Sequence, residues 1–186
     1  MALRSIITDN NNKVLRGKAK RVGRIDDFVR RLIDDMVETM RGAPGVGLAA
    51  PQVGVPLRVI VVEYEDALYS VVNPEIVKSN GEATDEEGCL SAPHWQGPVS
   101  RATSVVVKGR DKDGKEVRIK AEDWLARVFQ HECDHLDGTL FLDRVHDRSK
   151  IHWVDPDDEE REGAADSGKE ETQPKAKHAQ TREAEL

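Results

Sequence analysis

The chain has only two cysteines, Cys89 and Cys133, and few aromatics: three Phe, three Trp and two Tyr among 186 residues. Two thiols are too few for a disulfide scaffold, so each is read as a free thiol or a metal ligand in a reducing compartment. No apolar run approaches the roughly 20 residues that cross a bilayer. The opening MALRSIITDN has no continuous apolar stretch of the secretory kind, which makes the cytoplasm the expected compartment. Between Asp155 and Leu186 there is no Val, Ile, Phe, Trp or Tyr, and the only Leu is the last residue. With eleven Asp/Glu against five Lys/Arg, residues 155–186 read as an acidic, disordered tail. They account for most of the net charge of −7, leaving residues 1–154 close to neutral. A near-neutral body without a basic cluster offers no charge footprint for RNA or DNA, so neither direct nucleic-acid binding nor membrane association is expected. Residues 1–154 are long enough to bury a core of their own and are read as one domain.

What is there begins with a helix. Ile25, Phe28, Val29, Leu32, Ile33, Met36, Val37 and Met40 recur at spacings of three and four, with Asp26 and Asp27 at the positive end of the dipole. Gly42-Ala43-Pro44-Gly45 ends it. Strand-like runs follow at 57–62, 68–72 and 104–108, the last paired with 117–120 across a turn at Asp111-Lys112-Asp113-Gly114. A second helix spans about 122–136 with Gly138 just beyond its end, and 140–145 is apolar enough to return to the body. The pattern is that of a mixed α+β chain.

His131-Glu132-Cys133-Asp134-His135 lies inside the second helix. Histidines four apart project from one face, so two imidazoles converge on one ion while Glu132, about a third of a turn away, reaches a water beside it. Three fixed residues in this many windows occur by chance in about one such chain in fifty, so the motif needs support. Trp124, Leu125, Val128 and Phe129 bury the helix and argue against two merely solvated histidines. A third ligand is required. Downstream His146 and His152 stand at no recognised spacing, whereas Glu87-Gly88-Cys89-Leu90-Ser91 offers a thiol in a glycine-containing turn. Cys133 lies about 200° round the helix from His131 and is read as a small packed hydrophobe. Cys89 is the better candidate.

Three segments in order make the chain resemble the peptide deformylase family: Gly45-Val46-Gly47-Leu48-Ala49-Ala50-Pro51-Gln52, Glu87-Gly88-Cys89-Leu90-Ser91 and His131-Glu132-Cys133-Asp134-His135. The resemblance covers roughly Leu3 to Val145. It departs in lacking a Pro shortly before Leu15-Arg16, and in ending on an acidic tail where many members have a C-terminal helix. The fold it implies is α+β, with small antiparallel sheets around a central metal-binding helix and an N-terminal amphipathic helix. The activity it implies is hydrolytic removal of the N-formyl group from the N-terminal formylmethionine of nascent polypeptides at the ribosome, with release of formate.

By the same resemblance Cys89, His131 and His135 hold a divalent transition ion, Fe(II) foremost, with Zn, Ni or Co possible in purified protein. One thiolate and two imidazoles suit these ions and disfavour Mg or Ca. Hydroxide formed on the ion attacks the formyl carbon, Glu132 acts as general base and then acid, and the Gln52 amide with the Leu90 N–H donates to the resulting oxyanion together with the ion. Val46, Gly47, Trp124, Arg127 and Val128 are expected to line a slot for methionine, the Arg127 stem in the slot and its charge in water. Glu87 is expected to pair with Arg101 behind the ligands. Two other readings make different demands. A metallopeptidase needs a ligand downstream of the helix and turns over unformylated peptides. A non-catalytic interaction module works through the tail and binds no metal.

Overall fold

The computed structural model describes residues 2–155. The described residues up to Trp153 form one compact unit. The acidic stretch expected to be disordered lies, from residue 156 on, outside the described residues.

The first helix, α1 (Asp27–Gly42), starts where the Asp26 carboxylate accepts the Val29 N–H at 3.1 Å. Its apolar stripe is buried except Phe28, which stays half exposed. The central helix, α2 (Asp123–Leu136), closes before Gly138, whose φ of +76° takes the chain out of the helix at little steric cost. Among the described residues eight strands form two antiparallel sheets: β1 (Gly47–Ala49), β2 (Val59–Tyr64), β3 (Ala67–Asn80), β4 (Ala83–Cys89), β5 (Ala92–Arg101), β6 (Ser104–Arg110), β7 (Glu116–Glu122) and β8 (His152–Trp153). Five of them run in the order β1-β2-β3-β6-β7 and three in the order β4-β5-β8. The hairpin expected across 111–114 is β6–β7, with Ser104 opposite Glu122 and Arg110 opposite Glu116.

The five-stranded sheet feeds two apolar clusters. One joins α1 (Leu32, Ile33, Met36) to Leu48, Val59 and Val61. The other joins α2 (Phe129, Leu136) to Ile60, Val62 and Val107. The alternation of Val59, Ile60, Val61 and Val62 between the two clusters follows from the two-residue period of a strand buried on both faces. A third cluster, with Ala92, Val99, Phe141 and Val145, closes the three-stranded sheet beneath the short helix α3 (Phe141–Arg144). This realises the expected return of 140–145 to the body.

One polar clip joins the N-terminal segment to β3. The Asn73 side chain accepts from Val22 N–H and donates to Val22 C=O, both at 2.8 Å, from a left-handed backbone (φ +54°) that Asn tolerates. Asn73→Ala leaves the buried Val22 N–H unmatched, while the Val22 C=O keeps the Arg110 guanidinium as donor at 2.8 Å, and an expected loss of about 1–3 kcal/mol should appear in the urea midpoint.

Candidate metal centre

Helix α2 places His131 and His135 one turn apart, their ring centroids separated by 5.0 Å. Strand β4 delivers Cys89 at its end, where the register against β5 breaks: Gly88 opposes Gln96, but Cys89 opposes Ala92. An irregularity of this kind re-aims a terminal side chain. Here Cys89 Sγ lies 3.3 Å from His135 Nε2, and the ligand atoms of Cys89, His131 and His135 all fall within 4.8 Å of one another. A tetrahedral ion with sulfur at ~2.3 Å and nitrogen at ~2.0 Å sets sulfur and nitrogen ~3.5 Å apart. The Cys89–His135 edge is close to that spacing, and one thiol with two imidazoles fits a divalent transition ion.

The surroundings orient these groups. His131 Nδ1 lies 3.0 Å from Glu87 Oε2, and donation to that carboxylate leaves Nε2 for the triangle. Burial disfavours charge on both imidazoles. For His131 the thiol and Glu87 outweigh it and raise the pKa, while His135, with His131 and Arg101 adding repulsion, is held well below the ordinary value. The buried Gln52 amide is fixed at one end, where its oxygen accepts the Ala49 N–H at 2.7 Å. Its nitrogen therefore faces Cys89 Sγ (3.6 Å) and Ser91 Oγ (3.3 Å). Ser91 N–H also donates to the sulfur, at 3.4 Å.

Glu132 is buried, and its Oε2 has no hydrogen-bond partner among the described residues. Burial pushes its pKa up to about 7, with Glu87 and Asp134 adding to the rise and His131 and Arg101 opposing it. A carboxyl poised there both takes and returns a proton near neutral pH. Its neighbour is Gly47, where a Cβ would stand 2.9 Å from the Glu132 Cδ and closer still to Oε1. Close approach, rather than an unusual φ, is what requires glycine at this position. Gly47→Ala is expected to displace the carboxylate and lower turnover on the order of tenfold, with metal content unchanged, because misplacement of about 1 Å costs up to ~10²-fold. Turnover and metal stoichiometry on the same sample check this.

Behind the triangle the expected Glu87–Arg101 pair is present as a two-pronged bridge, 2.9 Å on each arm. It belongs to a larger network. Arg101 also donates to Asp134 at 2.6 Å, and Arg144 on α3 reaches the same carboxylate at 2.5 and 3.0 Å. Glu87 is buried, which raises its pKa, yet the bonds from Arg101 and His131 carry it far below the ordinary carboxylate range.

Arg127 corrects the sequence reading. Its charge does not reach water: the side chain is buried, and its guanidinium binds Glu87 Oε1 at 2.7 Å, Val99 C=O at 2.8 Å and Ala83 C=O at 2.9 Å. A carboxylate within reach of the buried face replaced water as the partner. Of the other expected slot residues, Gly47 abuts Glu132, Val128 is buried in the α2 cluster, and Val46 (44%) and Trp124 (39%) are substantially exposed. Cys133 sits in the same cluster, and burial pushes its thiol up to about 12, so it stays protonated. Ser91, Asp134 and Arg144 were not singled out from sequence. The first two lie within the quoted segments, but nothing marks Arg144.

Two antiparallel sheets gathered round a helix, whose H-E-x-x-H histidines meet a strand-borne thiol, define a metal-dependent hydrolase. Comparison with known proteins names the family. Residues 4–151 match the polypeptide deformylase family model, and the chain belongs to that family. It is 47% identical over 177 residues to the peptide deformylase of Thermomicrobium roseum, spanning 90% of this chain and 99% of that one. The Halothermothrix orenii peptide deformylase is 57% identical over 134 residues, 71% of this chain and 87% of the relative. The crystal structure of the Thermotoga maritima enzyme superposes with a TM-score of 0.76 at 38% identity, covering 79% of this chain and all of the other. No helix among the described residues is long and apolar enough to cross a membrane.

Proposed function

We propose that Cys89, His131 and His135 hold one divalent ion, Fe(II) foremost, and that Glu132 carries the proton while the N-formyl group is hydrolysed from the N-terminal formylmethionine of new polypeptides. Deformylation is the activity of the family to which the chain belongs. The observation that carries the residue assignment is the approach of Cys89 Sγ to 3.3 Å from His135 Nε2, 46 residues away in sequence. A bound ion supplies Lewis acidity there, polarising the formyl oxygen and easing the deprotonation of water.

The chain's own groups do the rest. Glu132 accepts a proton from the water that adds to the formyl carbon and returns it to the methionyl nitrogen as the C–N bond breaks. Formate and a free amine result. Gln52 Nε2, held toward the site by the Ala49 anchor, donates to the oxygen as it gains charge, together with the Leu90 N–H in the adjoining turn. Gly47 and Val46 form one wall of the methionine site, and Trp124 and Val128 border it from α2. Residues 1–154 constitute the catalytic domain, and its substrates are nascent chains leaving the ribosome in the cytoplasm, where the thiols stay reduced.

The test pairs a formyl-methionyl peptide with the same peptide unformylated, using protein of measured metal content. Formate is expected from the first and no cleavage of the second. Cys89→Ser should lose both metal and formate release. Cleavage of the unformylated peptide would favour a peptidase instead.

A further inference from the structure

Strand β4 carries the thiol of the proposed centre but has little apolar surface to hold it in place. Ala83, Thr84, Asp85, Glu86 and Gly88 are all exposed, and only Glu87 is buried. Something other than hydrophobic packing must fix its distance from α2, which carries the two imidazoles. Arg127, one turn before His131, is placed to do this. Its guanidinium projects from α2 and donates to three acceptors at once: Ala83 C=O at the start of β4, Glu87 Oε1 near its end, and Val99 C=O of the neighbouring β5. Two bonds thus land on the thiol-bearing strand six residues before Cys89 and two residues before it.

The same guanidinium shapes the His131 contact. Glu87 Oε1 receives Arg101 Nε and Arg127, while Oε2 receives Arg101 and His131 Nδ1. With Oε1 saturated by two cations, the carboxylate is pinned in the rotation that presents Oε2 to the imidazole. We propose that Arg127 is a positioning residue for the metal centre: it sets the spacing between the Cys89 strand and the two-histidine helix and locks the Glu87 carboxylate that orients His131. This rests on the reading that Cys89, His131 and His135 hold the ion. A planar fork with fixed donor directions suits three acceptors on two strands, and a lysine ammonium does not reproduce it.

The experiment measures Zn(II) affinity of the full-length protein by competition with a chromophoric chelator, for wild type, Arg127→Met and Arg127→Lys. Val105→Ala, a core truncation in β6, serves as a control for general loss of stability. Removing a group that orients a ligand typically weakens metal binding by about 10–100-fold. The expected results are about 100-fold for R127M, about tenfold for R127K, and less than threefold for V105A. In the Co(II)-loaded protein, the thiolate-to-cobalt absorption should weaken in R127M in parallel. A folded R127M that binds zinc within threefold of wild type overturns the proposal, as does a V105A that loosens zinc as much as R127M. If R127M is not recovered folded, R127K decides: affinity within threefold of wild type overturns the proposal, and a loss near tenfold supports it. The underlying ligand assignment fails in a different way, if Cys89→Ser binds zinc as tightly as wild type.

Discussion

Glu132→Gln keeps its metal and loses at least about 10²-fold in hydrolysis of a formyl-methionyl peptide, the lower end of what a missing general base costs. The substitution is nearly isosteric, so the void beside Gly47 stays filled and neither imidazole is disturbed. The amide cannot accept a proton from water at any working pH. Because Glu132 Oε2 makes no hydrogen bond among the described residues, the exchange breaks no structural contact, and thermal stability should hold or rise as a buried titratable group is removed. The decisive measurement is turnover and metal stoichiometry on the same preparation. Equal turnover in the two proteins would remove Glu132 from the mechanism, and lost metal would reassign it to holding the site together.

Arg101→Met has the largest expected effect on stability. Its guanidinium is buried between two carboxylates, Glu87 and Asp134, and burial alone would lower its pKa were it not for their bonds and charges, which raise it instead. Removing one partner of a buried network leaves the other charges uncompensated, at about 3–5 kcal/mol. Arg127 still serves Glu87 and Arg144 still serves Asp134, which places the expectation near 3 kcal/mol. The fall is read from the denaturation midpoint at unchanged slope. Replacing Glu87 by Gln in the same protein should cost less than the sum of the two single changes, since the groups share one network. A loss below about 1 kcal/mol for R101M would mean that the bridge is already solvated and does not organise the site.

Both long helices were legible because period-3.6 stripes survive in a chain poor in aromatics, and the β6–β7 hairpin because its turn residues are explicit. The metal-ligand candidates were legible for a similar reason: spacing along one helix determines facing. Strands β4 and β5 were not. The segment Ala83–Cys89 is almost wholly polar, and Ala92–Arg101 carries two prolines and a glycine, so neither shows the alternation that marks a strand. They pair with each other through an antiparallel ladder, held by the buried Arg101–Glu87 bridge and by the Arg127 side chain of α2, which reaches both strands, and such partners leave no local trace. Arg127 was misread for the same reason. From the helix alone a long cation is expected to reach outward for water, and the carboxylate that captures it lies 40 residues earlier. The buried ionic network depends on partners assembled only by the fold, and charge counts along the sequence do not reveal such partners.

The break in register between Gly88 and Cys89 also bears on how the protein comes together. The sulfur stands on the three-stranded sheet and the two nitrogens on a helix buttressed by the five-stranded one, so neither half alone can capture a cation. Tight capture should therefore appear late in refolding, once the seam between the halves has closed. Anything that reopens that seam will release the cation before either sheet melts.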